Sequence, residues 1–322
     1  MFNKPIEETI EYLEKKAKEF AGDCKKVVVA GSGGVDSSVV ATILTRAMGP
    51  ENTVVVFRDV KSKKEHKEDV KKLQEALGFK LVIMNLNNVY DDVLSQLKQN
   101  FIGNELSWFE ENNQEGIENG FNNSYASLKS RLTTPILGFV AKAIDNGGGR
   151  IFGTGNGEED GFLRYFDKFG DGAVDNNILS GLTKMEVRQI CEYFGKVYEN
   201  EIFQKIAEKT PSADLFSIGD EHNDETELSE WAKKKGFDIK LSYGDLKEEG
   251  NIAWALKEDI KNGIITGENI EKDEESLRQM GYDDSQLELI KLFRVIEKST
   301  KHKIAGPSGV SRSELKTAGL VD

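Results

Sequence analysis

The chain has 322 residues, enough for one large or two modest domains at roughly 100–200 residues each. Apolar types supply 38% and charged types 31%, so a sizeable core can form. The excess of 56 Asp and Glu over 43 Lys and Arg leaves −13, a sign that repels phosphate backbones and anionic membranes and disfavours general nucleic-acid binding. Cys24 and Cys191 are too few for a disulfide framework or a four-thiolate zinc site, and they fit a reducing cytoplasm. No run approaches about 18 consecutive apolar residues, as a membrane span requires. The N-terminal MFNKPIEETIEYLEKK is too charged for a signal peptide.

Ile6, Ile10, Leu13, Ala17 and Phe20 form the stripe of an amphipathic helix. Lys26–Ala30 reads as a short buried strand, and GSGG then leads into a helical run, DSSVVATILTRAM. Thr53–Phe57 is a second strand, Lys64–Leu77 a helix closed by Gly78, Lys80–Leu86 a third strand and Val89–Phe101 a helix. Residues 103–123 are polar and read as loop. Leu128–Ile144 returns to helix, with Pro135 calling for a kink or a late start. After a glycine loop at 146–149, Arg150–Gly153 is a fourth strand. Strands alternating with helices predict βαβ units and a Rossmann-like, doubly wound parallel sheet. Beyond about residue 200 the strand signal fades into charged, helix-prone sequence, so extra C-terminal helices are expected. The whole chain reads as one domain, 1–322, with residues 229–290 as a helical insertion without chemistry.

Gly31, Ser32, Gly33 and Gly34 stand between the first strand and its helix. Glycines there let backbone N–H groups share one concavity, and the helix dipole adds positive potential, which makes a phosphate cradle. The segment lacks the Walker lysine and does not fit GxGxxG. Asp36 would repel a bound phosphate unless a cation lay between, which points to Mg²⁺. The plainer reading is that Asp36 and Ser37 only complement the dipole and cap the helix.

SGGVDS resembles the signature of the ATP pyrophosphatases, enzymes that cleave ATP between the α- and β-phosphates and adenylate a substrate oxygen. Within that group, residues 150–184 (RIFGTGNGEEDGFLRYFDKFGDGAVDNNILSGLTK) resemble the NAD synthetase block. So do TPSADL at 210–215, DETEL at 224–228, LKSR at 128–131 and the THK-type residues Thr300–Lys303. The resemblance implies an adenine nucleotide alpha hydrolase-like fold and a ligase that converts deamido-NAD, ATP and ammonia into NAD, AMP and pyrophosphate. It implies that Gly31, Ser32, Gly33, Gly34, Val35, Asp36, Ser37 and Ser38 hold the ATP phosphates, with Arg58, Thr154, Lys184 and Ser212 also on ATP. Asp36 and Glu159 would bind Mg²⁺. Arg131, Lys168, Asp175, His302 and Lys303 would bind deamido-NAD, and Asp36, Lys184 and Asp175 would be catalytic. Residues 210–229 are the expected lid over the adenylate. The resemblance also implies a homodimer in the cytoplasm.

Each assignment has a plainer counterpart. Thr154 could be a turn threonine, Glu159 a solvated acid beside Glu158, and Arg131, Lys168 and His302 surface residues. Lys184 opens a helix, where the dipole disfavours cations, which suggests an anion partner against the default of a solvated lysine. Glutamine-dependent relatives carry an amidase domain with a catalytic cysteine. The ATP loop here starts near residue 31 and neither cysteine has that context, so free ammonia or a separate amidotransferase is the expected nitrogen source. Two alternatives stay open: another SGGxDS ATP pyrophosphatase forming an amide or thio product on a different acceptor, and a non-catalytic nucleotide-binding protein.

Overall fold

The structure is a computed structural model that describes residues 2–101, 122–144, 148–210, 224–243, 252, 254, 273–304 and 317. Helix α1 (Ile6–Ala21) leads to β1 (Val27–Ala30), α2 (Val35–Met48), β2 (Thr53–Asp59), α3 (Lys64–Leu77), β3 (Lys80–Asn85) and α4 (Asn87–Phe101). Then come α5 (Asn122–Arg131), α6 (Thr133–Ala143), β4 (Arg150–Phe152) and a π-helical turn (Gly157–Leu163). The C-terminal part holds α7 (Lys184–Val197), α8 (Glu201–Ala207), α9 (Asp224–Lys234), α10 (Glu274–Gln279) and α11 (Asp284–Ile304).

The strands pair in parallel in the order β3-β2-β1-β4. Val27 is opposite Thr53 on one side and Arg150 on the other. Strand side chains alternate between faces, and the valines of β1 divide accordingly. Val27 and Val29 join the large core formed with α1, α2, α7 and α8, whereas Val28 packs with Leu137 and Ala141 of α6 on the opposite face. Helices on both faces explain why β1 and β2 read as unbroken apolar runs, whereas β3 is largely exposed. The chain runs outward from β1 to β3 and then returns to β4 on the far side of β1. That reversal is the topological switch point, where open α/β sheets place their ligands.

Several expectations shift in detail. The helix expected over 128–144 is two helices, α5 and α6, separated at Leu132. Pro135 is the third residue of α6, within the first turn, where a missing N–H costs no intrahelical bond. The polar stretch 103–123 ends earlier than expected, because Asn122 and Asn123 already belong to α5; residues 102–121 lie outside the described part. The segment DETEL, expected in a polar loop, opens α9, whose first-turn Asp224, Glu225 and Glu227 suit the dipole.

The described residues beyond 224 build a second core. Leu228, Ala232, Leu241, Tyr243, Ile252, Leu277, Ile290 and Phe293 close on Phe162 and Leu163 of the π-helical turn. Phe162 and Phe293 meet edge to face at 5.2 Å. Arg164 donates to Glu297 at 2.8 Å, which ties α11 to the same turn. No helix among the described residues is long and apolar enough to cross a membrane.

Candidate active site

The loop leaving β1 is built by backbone necessity. Gly33 has φ 79°, and a Cβ there would lie 2.7 Å from the carbonyl oxygen of His66. Only glycine combines that conformation with that approach. Ser32 and Ser37 join their hydroxyls at 2.9 Å, and Ser38 donates to the Gly34 carbonyl at 2.8 Å. Gly34 is the N-cap of α2 in extended conformation, and no side chain caps the helix. Asp36 still complements the dipole in the first turn of α2, and the uncapped amides there suit an anion.

Asp36 points instead across the switch point. The loop after β4 reaches Asn156, whose side-chain oxygen accepts from the amides of Glu158 and Glu159, each at 3.0 Å, and so caps the π-helical turn. Its amide nitrogen donates to Asp36 Oδ1 at 3.0 Å and to Glu159 Oε2 at 2.9 Å. Gly155 makes room for this loop, since a Cβ there would collide with Asp160 at 1.8 Å. Lys184 closes the arrangement. Its Nζ lies 2.6 Å from Asp36 Oδ2 and 2.6 Å from Glu159 Oε1, with the lysine side chain only 6% exposed. A capping box of Thr183 and Glu186 fixes the start of α7, and the Lys184 amide donates to the fully buried Glu158.

Burial would push the Lys184 ammonium down, but Asp36 and Glu159 outweigh it and raise it, so the cation is firmly held. Burial raises Glu159 against the pull of Lys184, with Asp36 adding to the rise. Burial also pushes Glu158 up to about 7 and Asp160 up to about 7. Two carboxylates are thus held together by one ammonium and one amide. Among the described residues no group of three or more His, Cys, Asp or Glu forms a cage. Two carboxylates completed by substrate phosphates is a common magnesium arrangement.

A cavity of about 680 Å³ opens from this cluster. Ser32, Gly34, Val35, Asp36, Ser37, Arg58, Thr154, Glu159, Lys184, Arg131, Lys168, His302 and Lys303 all line it, so most residues singled out from the sequence converge. Gly31, Gly33 and Ser38 form the loop behind its wall. Arg58 is half-buried at the end of β2; burial lowers its guanidinium, and Asp171 opposes that. Arg131 donates to both oxygens of Asp167, at 3.1 and 3.0 Å, and lies 5.7 Å from the ring centroid of Phe169. Lys168 donates to the His302 carbonyl at 2.6 Å. Lys303 donates to the carbonyls of Arg164 and Phe166, at 2.6 and 2.7 Å. Lys303 and Lys168 thus join α11 to the 164–169 segment as well as facing the cavity.

Asp175 departs from expectation. It does not line the cavity; its exposed carboxylate accepts from the Ile151 amide at 2.8 Å, beside β4. Its carboxylate is engaged with the backbone of the edge strand β4. Ser212 lies outside the described residues. The cysteines are unpaired, and Cys191, donating to the Phe203 carbonyl at 3.3 Å and pushed up to about 12 by burial, is a core residue.

Sequence reasoning missed Asn156, Arg188, Lys209 and Tyr243. Asn156 stood in the GTGN motif without a role. Arg188 follows Lys184 by one helical turn, a spacing that puts both on one face. Lys209 donates to the Gly33 carbonyl at 3.1 Å from 176 positions away and also meets Asp69 at 2.6 Å, a contact no local pattern carries.

Comparison with known proteins agrees with this geometry. The family described as NAD synthase matches residues 5–233. The chain is 30% identical over 215 residues to an NH(3)-dependent NAD(+) synthetase of Carboxydothermus hydrogenoformans, covering 67% of this chain and 77% of that protein. It is 29% identical over 315 residues to the NH(3)-dependent NAD(+) synthetase of Pyrococcus horikoshii, covering 98% of this chain and 96% of that one. Among solved structures, an NMN synthetase of Francisella tularensis shares the fold, with a TM-score of 0.62 at 20% identity, covering 94% of this chain and 98% of its own.

Proposed function

The chain belongs to the NAD synthase family, and from that premise we propose that it amidates deamido-NAD with ammonia at the expense of ATP, using the cluster of Asp36, Glu159 and Lys184. The observation that carries this reading is the convergence of both carboxylates on the Lys184 ammonium, at 2.6 Å each, beside an uncapped helix N-terminus.

In this reading the amides from Gly31 to Ser38 receive the ATP phosphates, with Thr154, Arg58 and Ser212 on the same nucleotide. Asp36 and Glu159 would hold Mg²⁺, which when bound neutralises charge on the phosphates. Lys184 adds a buried positive charge to the leaving pyrophosphate. Arg131, Lys168, His302 and Lys303 orient deamido-NAD so that its carboxylate faces the α-phosphorus. The carboxylate oxygen attacks that phosphorus, the bond to the β-phosphate oxygen breaks, and pyrophosphate departs. Ammonia then attacks the adenylated carboxyl carbon, the bond to AMP breaks and a proton is lost, giving the amide. Asp175 is left out of the chemistry on account of its place beside β4. A cytoplasmic homodimer completes the reading, and light scattering of the purified protein tests the dimer.

Incubation with ATP, Mg²⁺, ammonium and deamido-NAD tests the function directly. NAD and AMP should form in equal amounts. Pyrophosphate release only with some other acceptor, or ATP binding without AMP, would overturn it.

A further inference from the structure

We propose that Tyr243, which lies beyond the residues 5–233 matched by the family, is a positioning residue for Lys184. Its ring faces the Lys184 ammonium at 5.8 Å to the centroid, within the range of a cation–π contact. The ring is 2% exposed, and the phenolic oxygen is buried without a hydrogen-bond partner among the described residues. A buried tyrosine ordinarily finds a partner for its hydroxyl. Accepting an unpaired one is accounted for if the ring is needed where it is.

The backbone around Tyr243 is anchored for that purpose. The Leu241 amide donates to Ser229 Oγ at 2.9 Å, and the Tyr243 amide donates to Glu225 Oε1 at 2.9 Å. Ile252 donates to the Ser242 carbonyl at 3.1 Å. Glu225 and Ser229 sit on α9, so α9 carries the Leu241–Tyr243 segment to the cluster. Lysine has a flexible four-carbon stem. Asp36 and Glu159 accept from the ammonium at 2.6 Å each, and the ring lies within cation–π range of the same nitrogen. On this proposal the Leu241–Tyr243 segment, within 229–290, contributes to the site.

The proposal rests on Lys184 acting on the ATP phosphates. Its test compares Tyr243→Phe, which keeps the ring, with Tyr243→Met, which fills space without one. Both are made in the full-length protein, in the wild-type and Lys184→Met backgrounds. NAD formation, ATP affinity by titration calorimetry and thermal midpoints are measured for each. With Lys184 present, Tyr243→Met should lower kcat/KM for ATP about tenfold, the scale of a desolvated cation–π contact, and Tyr243→Phe should restore it. With Lys184→Met, both variants should bind ATP alike, because no cation remains to be placed. Equal activity of the Met and Phe variants, an equal loss in both, or a Met-specific loss of ATP affinity that persists without Lys184 would each overturn the proposal. Failure of the wild-type protein to make NAD would count against the proposed function instead, while the ATP-affinity cycle still decides the role of Tyr243.

Discussion

Asp36 and Lys184 meet at 2.6 Å across 148 positions of sequence, the first from the start of α2 and the second from the start of α7. The contact turns two helix beginnings toward one point. Replacing Asp36 by Ala should reduce pyrophosphate release by about a hundredfold or more, the scale seen when one electrostatic stabiliser is removed. The fold should persist, because Lys184 still has Glu159. Lys184→Met should lose activity similarly but also lower stability by about 3–5 kcal/mol, since two carboxylates are left buried without their cation. Stopped assays and thermal melts of both variants distinguish the two outcomes.

Gly33→Ala should strain the phosphate loop. Its φ of 79° and the His66 carbonyl 2.7 Å from the added Cβ leave no relaxed arrangement. A loss of at least about 1–2 kcal/mol and a raised KM for ATP are expected. Gly161→Ala, where a Cβ meets nothing within 4 Å, is the control and should change little. Equal effects of the two substitutions would remove the steric argument.

Asp69 predicts how the protein responds to acid. Burial alone would raise its carboxyl, but hydrogen bonds from Lys205 and Lys209 outweigh burial and hold it below its ordinary value of 3.8. A carboxylate lowered in this way stabilises the folded state fully above its unfolded pKa. That contribution fades as pH falls through the lower, folded value. Urea midpoints should therefore decline below pH 4, and Asp69→Asn should be destabilised at pH 7 while showing a flatter acid limb. An unchanged limb in the variant would assign acid sensitivity elsewhere.

Phe293→Ala removes the ring that meets Phe162 at 5.2 Å and should cost about 3–5 kcal/mol. Because Phe162 belongs to the same turn as Glu159, turnover should fall beyond what the lost stability explains. Rates measured well below the melting midpoint check this.

Local pattern was enough to read much of the fold. Lys64–Leu77 was bounded by its apolar stripe and Gly78, and the valines of β1 announced a strand buried on both faces. Lys184, set against the dipole, suggests an anion partner, but the two carboxylates it meets are not legible from its position. The pattern failed where a distant contact decides. Asn122 lacks an apolar stripe, and α5 gains its packing from elements far along the chain. Asp175 looked like its neighbours Asp167 and Asp171, yet only those two carboxylates bond with α5, through Ser127 and Arg131 and through Ser130. Tyr243 sits in charged, glycine-interrupted sequence, and only the three-dimensional fold brings it to Lys184.

The wide turn from Gly157 to Leu163 sends three consecutive acids to three partners: Glu158 to the Lys184 amide, Glu159 to the Lys184 ammonium and Asp160 to Asn177. Each residue in a helical segment sets the direction of the side chains after it. Deleting a single position here would swing the wrong carboxylate toward Asp36. Mutational drift can alter side chains in this stretch, but it cannot readily alter how many there are.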